Sequence, residues 1–119
     1  MPSTVLVVDD DPAFRALARQ LLTDWGHDVV GEAGTVAEAL ARASQMWPDV
    51  ALVDVGLPDG SGFAVSRRLT ALPRPVRVVL ISTDSDQAFR SAAHRAGAAG
   101  FLPKTELTKD ALDDLLGER

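Results

Sequence analysis

The sequence predicts one α/β domain built on an open, doubly wound parallel sheet. Five short runs rich in β-branched residues alternate with five stretches that have helical spacing, a pattern typical of parallel strands joined by right-handed helical crossovers. Five β–α units are too few to close an eight-stranded barrel. The flavodoxin-like strand order 2-1-3-4-5 suits a five-stranded sheet best. The whole chain of 119 residues is expected to form this one domain.

The five strands are predicted where apolar, β-branched residues run together between turn signals. The first run is continuously apolar, as expected for a strand that is covered on both faces. A Gly-rich loop at 55–62 follows the third strand. The predicted strands cover residues 4–8, 28–33, 50–53, 76–81 and 98–102.

Two helices are predicted in the first half of the chain. Asp11 supplies an N-cap and Pro12 suits the first helical position. Apolar residues then recur along one helical face as far as Trp25. A capping box at 35–38 begins the second helix, which runs to about Met46.

Three more helices are predicted in the second half. The third covers about 63–72 and is closed by Pro73. Residues 84–87 mark the start of the fourth helix, and Gly97 ends it. The fifth helix begins at about residue 107 or 109 and ends at Leu116.

Composition excludes several classes of function. Seventeen acidic residues against 12 basic ones give a net charge of −5, which argues against direct nucleic-acid binding and against an anionic membrane surface. The sequence contains no Cys, so it has no disulfide and no thiolate metal site. It also lacks an apolar run of about 20 residues and the basic start of a signal peptide. We therefore expect a cytoplasmic protein.

Chemically active side chains follow four of the five predicted strands. Asp9 and Asp10 come after strand 1, Asp54 after strand 3, Ser82 after strand 4 and Lys104 just past strand 5. Taken alone, the Asp run after strand 1 fits a structural role as well as a functional one, and Asp54 is often a turn residue. Ser82 and Lys104 alone are more often a cap and a solvated surface group. Because open α/β sheets bind ligands at the carboxyl ends of their strands, however, the order 2-1-3-4-5 predicts that they share one pocket.

That combination predicts a phosphoryl-acceptor site. A cluster of three carboxylates persists when a cation neutralises it, and oxygen ligands without His or Cys favour Mg²⁺ or Mn²⁺ over Zn²⁺. A carboxylate beside Mg²⁺, with a Lys and a hydroxyl placed for phosphate oxygens, suits an aspartyl phosphate. Metal and ammonium then meet the charge of the transferring group from two sides.

Four segments in this order resemble the receiver domain of two-component response regulators, which has the CheY-like version of the predicted fold. They are Val-Val-Asp-Asp at 7–10, Asp-Val-Gly-Leu-Pro-Asp-Gly-Ser-Gly at 54–62, Leu-Ile-Ser at 80–82 and Gly-Phe-Leu-Pro-Lys at 100–104. Residues 100–107 most resemble receivers of the NarL/LuxR type. The resemblance covers essentially the whole chain.

The resemblance implies roles for the acceptor and metal residues. Asp54 would be phosphorylated by a sensor histidine kinase or a phosphotransfer protein. Asp9, Asp10, Asp54 and the backbone carbonyl of Gly56 would hold Mg²⁺. Lys104 would pair with a phosphoryl oxygen. Such a domain is a phosphoacceptor that catalyses its own phosphorylation and slow autodephosphorylation, rather than a conventional enzyme.

The resemblance also implies a conformational switch. The Ser82 hydroxyl would move to the phosphoryl group, and the Phe101 ring would rotate inward. Thr83 and Asp84 would tune access to the acyl phosphate, since Thr83 stands where a small residue is frequent. Thr105 stands where many receivers have Pro, so we expect a trans peptide bond after the lysine.

The switched surface, formed by helix 4, strand 5 and helix 5, would serve a homodimer or an output partner. Receivers of this type usually precede a DNA-binding domain, and the sequence contains no such output domain. We expect either a stand-alone receiver or a part of a longer regulator.

Three other functions fit part of the pattern. A haloacid-dehalogenase-like phosphatase also uses Mg²⁺ and an aspartyl phosphate, and Asp9 would be its nucleophile, but Asp54 would then have no role. A flavodoxin-like nucleotide binder needs a Ser/Thr/Gly-rich loop after strand 1, where this chain has three Asp residues. An unphosphorylated pseudo-receiver would act only as an interaction module, although every acceptor group is present.

Overall fold

A computed structural model describes residues 3–84 and 86–117, and it contains the strands and helices that the sequence predicts. The sheet strands are β1 (Thr4–Val8), β2 (Asp28–Ala33), β3 (Val50–Asp54), β4 (Arg77–Ser82) and β5 (Gly100–Pro103). The helices are α1 (Pro12–Asp24), α2 (Val36–Met46), α3 (Gly62–Thr70), α4 (Ala88–Arg95) and α5 (Lys109–Leu116).

All five strands are parallel and lie in the order β2-β1-β3-β4-β5, which confirms the predicted topology. Asp54 pairs with Ile81, so Ser82 lies one residue beyond that pair on the neighbouring strand. Ser82 in turn pairs with Pro103, the residue before Lys104. The register therefore brings the carboxyl ends of β3, β4 and β5 to one edge of the sheet.

The sheet is covered on both faces, which explains why its strands are almost continuously apolar. Helices α2, α3 and α4 pack on one face, and α1 and α5 pack on the other. Leu6 and Leu80 point into the first layer and Leu52 into the second, each at most 1% exposed. Burying each leucine contributes about 2 kcal/mol. None of the described helices has the length and apolar character to cross a membrane.

The elements next to the carboxyl edge differ most from the prediction. The predicted loop at 55–62 contains a hairpin, with two-residue strands Gly56–Leu57 and Gly60–Ser61. Helix α3 begins at Gly62, because the Ser61 side chain accepts a hydrogen bond from the Phe63 amide. The first turn of α4 is capped by Asp86, whose carboxylate accepts from the Ala88 amide at 2.9 Å.

Candidate functional site

The end of β3 is fixed by backbone contacts on both sides. The Val55 amide donates to Ile81 O at 2.9 Å, and the Gly62 amide donates to Val55 O at 2.8 Å. A Cβ atom on Gly62 would lie only 2.2 Å from Asp54 O. Only glycine lets the start of α3 approach Asp54 so closely, so the strand and the helix together hold the Asp54 backbone in place.

Asp9, Asp10 and Asp54 form one cluster at this edge. Each offers a carboxylate oxygen within 4.8 Å of those of the other two. Asp9 is fully buried, Asp54 is 9% exposed, and Asp10 is exposed. The structure thus brings together the three carboxylates that the sequence places after strands 1 and 3.

The backbone of Asp9 is anchored from two other elements. Its amide donates to Ala33 O at 2.9 Å, and Arg15 Nη1 of α1 donates to Asp9 O at 2.5 Å. Asp9 Oδ1 accepts from the Asp11 amide at 2.9 Å. The role of Arg15 was not predicted, because its contact depends on how α1 docks against β1.

Lys104 lies nearer to Asp9 than to Asp54. Its Nζ atom is 2.6 Å from Asp9 Oδ2 and 4.0 Å from Asp54 Oδ1. Asp9 Oδ2 accepts no hydrogen bond from the described residues, so this ion pair is its partner there. The ammonium also lies 4.3 Å from the centroid of the Phe14 ring, a cation–π contact. The Lys104 ammonium therefore lies near two buried carboxylates, and it is closer to that of Asp9.

This arrangement raises the pKa of the Asp54 carboxyl group. Burial raises the pKa of Asp54 from 3.8 to about 6, and the negative charge of Asp9 adds to the increase. The Lys104 ammonium opposes the rise in this pKa, whereas Asp10 adds to it. A carboxyl group with an elevated pKa at the carboxyl ends of the strands of an open α/β sheet is a functional-site candidate.

The donor set fits a hard divalent cation. The three converging groups are all carboxylates, the ligands that Mg²⁺ takes together with water and phosphate oxygens. Burial is the main cause of the raised pKa of Asp54, and a divalent cation would offset the repulsion from Asp9 and Asp10 that adds to it. Gly56 lies two residues after Asp54, in the first strand of the hairpin, where it pairs with Ser61.

The hydroxyl of Ser82 is buried at the end of β4, and it accepts a hydrogen bond from the Asp84 amide at 3.0 Å. Thr83 and Asp84 are exposed at the rim of the crevice. The Lys104–Thr105 peptide bond is trans, as expected. The structure thus brings Ser82, Asp54 and Lys104 to neighbouring positions, with Ser82 bound to its own loop.

The Phe101 ring is buried in the structure, with only 3% of the residue exposed. It packs edge-on against Phe89 of α4 at a centroid distance of 5.5 Å. Arg90 covers the ring at 5.9 Å and donates through Nη1 to Phe101 O at 3.3 Å. Phe63 of α3 continues the row at 5.8 Å from Phe89. Among these residues, only Phe101 was predicted to take part in the site.

The arrangement suits attack by a carboxylate oxygen on an electrophilic phosphorus atom. Asp54 is 9% exposed, the other two carboxylates offer oxygens that could hold a metal ion, and the Lys104 ammonium is 4.0 Å from Asp54 Oδ1. Asp9 is fully buried and paired, which makes it a poor nucleophile compared with Asp54.

The chain is similar to a known protein family and to curated proteins. The family described as the response regulator receiver domain matches residues 5–116 of this chain. The DNA-binding transcriptional activator DevR/DosR of Mycobacterium tuberculosis is 44% identical over 105 residues, which are 87% of this chain and 48% of that protein. The chain spans about half the length of the curated relatives it matches.

The fold is also similar to those of solved structures. The signal receiver domain of the response regulator NarL from Mycobacterium tuberculosis superposes with a TM-score of 0.84 at 39% identity, covering 98% of each chain. A LuxR-family two-component response regulator from Aurantimonas sp. SI85-9A1 has a TM-score of 0.87 at 27% identity, covering 100% of this chain and 89% of that one.

Proposed function

The chain belongs to the response regulator receiver domain family and is of the NarL/LuxR type; from that premise, we propose that it accepts a phosphoryl group on Asp54 in an Mg²⁺-dependent reaction. The observation that carries the proposal is the placement of the Asp54 carboxylate. It ends β3, is 9% exposed, and lies close to two further carboxylates and to the Lys104 ammonium. The proposed donor is a sensor histidine kinase or a phosphotransfer protein.

In the proposed reaction, an Asp54 carboxylate oxygen attacks phosphorus. A P–O bond forms as the P–N bond of a phosphohistidine breaks, and the electron pair returns to the imidazole nitrogen. Bound Mg²⁺ would neutralise charge on the transferring oxygens, held by Asp9, Asp10, Asp54 and the Gly56 carbonyl. The same groups would support slow autodephosphorylation by water. The domain would therefore act as a self-modifying phosphoacceptor.

Lys104 is the proposed counter-charge for a phosphoryl oxygen. Its ammonium starts only 4.0 Å from Asp54 Oδ1, so a small movement of a flexible side chain is sufficient. A phosphoryl group brings nearly one extra negative charge to Asp54, which favours transfer of the ammonium from Asp9 to the new group. Mg²⁺ would then compensate Asp9.

Ser82 and Phe101 are the proposed switch residues. The Ser82 hydroxyl would exchange the Asp84 amide, now at 3.0 Å, for a phosphoryl oxygen. Because the Phe101 ring is already buried against Phe89, phosphorylation would stabilise this inward position. The surface of α4, β5 and α5 would carry the signal to a second copy or to an output partner. Thr83 and Asp84, exposed at the rim, are proposed to tune access to the acyl phosphate.

We also propose that the domain serves as the regulatory part of a cytoplasmic transcription regulator. The relative DevR/DosR is a DNA-binding transcriptional activator, and the matched region covers 48% of it. With a charge of −5, this domain itself would leave DNA contact to another part of such a regulator.

The test is to incubate the protein with acetyl phosphate and Mg²⁺, trap the product and locate the adduct by mass spectrometry. We expect one phosphoryl group on Asp54 and none in Asp54→Asn. Lys104→Ala is expected to be phosphorylated but to show weaker NMR shift changes in α4. An adduct on Asp9, as in a haloacid-dehalogenase-like phosphatase, or one that survives Asp54→Asn, overturns the proposal.

A further inference from the structure

The turn of the 56–61 hairpin is tied to a distant helix. Pro58 and Asp59 form this turn. The Asp59 carboxylate accepts from the Val36 amide through Oδ1 at 2.7 Å and from the Ala37 amide through Oδ2 at 3.1 Å. These amides belong to the first turn of α2 and lie 23 and 22 residues away in sequence. Both oxygens of an exposed carboxylate are thus committed to one helix terminus.

Helix α2 has its own cap beside this contact. Thr35 Oγ1 accepts from the Glu38 amide at 3.0 Å, and Glu38 Oε1 accepts from the Gly34 amide at 3.2 Å. The local capping box therefore leaves the Val36 and Ala37 amides for Asp59. Those two amides hold the pKa of Asp59 below its usual range.

The rest of the hairpin is packed between α2 and the end of β3. Leu57 is 9% exposed and belongs to the core. A Cβ on Gly60 would lie 3.1 Å from Val36 Cγ2, so the second hairpin strand lies close against α2. At its other end, the hairpin leads into Gly62, which lies directly against Asp54 O. The segment that carries Gly56 is therefore fixed at both ends, and Asp59 supplies the polar attachment to α2.

We infer that Asp59 is a positioning residue for the metal site: it anchors the hairpin to α2 and so fixes the backbone segment that carries the Gly56 carbonyl, two residues after Asp54. This inference rests on the proposed function, because it assigns Gly56 to the Mg²⁺ ligands. Asp59 is not one of the three carboxylates that converge at the site. It acts through the hairpin backbone, as residues that orient metal ligands do.

The test compares Mg²⁺ binding by Asp59→Ala and Thr35→Ala, measured by isothermal titration calorimetry. Both variants remove a cap from the first turn of α2, but only Asp59→Ala frees the hairpin. We expect Asp59→Ala to raise the Mg²⁺ dissociation constant about tenfold, and Thr35→Ala to change it less than about twofold. Asp59→Asn, which keeps an acceptor oxygen, is expected to bind more tightly than Asp59→Ala.

Equal Mg²⁺ affinity of Asp59→Ala and the wild type overturns the inference, as does an equal loss in both alanine variants. A wild type that binds no Mg²⁺ contradicts the proposed function itself, and the inference falls with it.

A second measurement, hydrogen exchange, needs no variant. Because coupling is reciprocal, Mg²⁺ should slow hydrogen exchange of the Val36 and Ala37 amides severalfold, but not that of Ala111, which is capped by Thr108 on α5. Unchanged exchange at Val36 and Ala37 overturns the inference.

Discussion

Asp49 directly precedes β3 and Asp54 ends it, so the two residues lie at opposite ends of the same central strand. The amino edge is the side of the sheet where the strands begin, and the carboxyl edge is the side where they end. Asp49 Oδ2 accepts from the Thr4 amide at 3.1 Å and from Thr4 Oγ1 at 3.2 Å. Its amide donates to Thr4 Oγ1 at 3.0 Å, and its carbonyl accepts from the Arg77 amide at 3.1 Å. Asp49 is also half exposed, with 46% of its side chain accessible.

Asp54 has the opposite environment. It is buried among like charges, and the Lys104 ammonium lies closer to Asp9 than to Asp54. The comparison teaches that residue type does not identify a functional aspartate. At the amino ends of the strands, the hydrogen bonds of Asp49 support the fold. At the carboxyl ends, the fold holds Asp54 among like charges, and a bound cation would relieve that repulsion.

The largest effect on stability is expected from Lys104→Ala. This change leaves the buried Asp9 carboxylate without its cation, so we expect a loss of about 3 kcal/mol in the free energy of unfolding at pH 7 without Mg²⁺. Urea denaturation with EDTA measures it, and added Mg²⁺ should recover part of the loss.

Lys109→Ala is the matched control for this prediction. Lys109 also lies 2.7 Å from an aspartate, Asp113, but 54% of its side chain is exposed. Its partner Asp113 is 11% exposed, against 0% for the Asp9 side chain. Removing this partly exposed i,i+4 pair should cost about 1 kcal/mol, less than the loss at Lys104. If both variants lost a similar free energy of unfolding, the Lys104–Asp9 pair would be no more important to stability than the more exposed Lys109–Asp113 pair.

Asp54→Asn should stabilise the protein. The pKa of Asp54 rises from 3.8 to about 6 on folding, so the folded state binds the proton more tightly and wild-type stability falls as the pH rises from about 4 to 6. Above pH 6 without Mg²⁺, the variant should be more stable than the wild type by about 3 kcal/mol. Below pH 4 the difference should vanish.

Urea denaturation across this pH range checks the prediction. A variant that is less stable than the wild type at pH 7 would show that Asp54 supports the fold, as Asp49 does.

Asp49→Ala should act in the opposite direction and by a smaller amount. It removes the two hydrogen bonds from Thr4, which should cost about 1 kcal/mol at pH 7. Phosphorylation by acetyl phosphate should proceed at the wild-type rate, because Asp49 lies at the far edge of the sheet. A slowed phosphorylation rate would break the distinction between the two edges.

Much of the fold and most of the candidate site followed from the sequence. Continuous apolar runs predict strands that are buried on both faces, and the predicted sheet order then brings Asp9, Asp54 and Lys104 together. The hairpin at 56–61 was not predicted, because its two-residue strands carry no periodicity. The contact of Asp59 with α2 joins residues 22 and 23 positions apart, and the packing of Phe89 and Arg90 on Phe101 depends on where α4 docks.

The most direct test is a ¹³C NMR titration of the Asp54 carboxyl group, assigned by comparison with Asp54→Asn, with and without Mg²⁺. Without Mg²⁺, the carboxyl should titrate with a midpoint near pH 6, because burial and Asp9 raise its pKa to about 6. Saturating Mg²⁺ should move the midpoint to lower pH, since the cation favours the carboxylate. A midpoint near 3.8, the ordinary value, that is unchanged by Mg²⁺ would contradict the view of Asp54 as a strained acceptor carboxylate in a metal site.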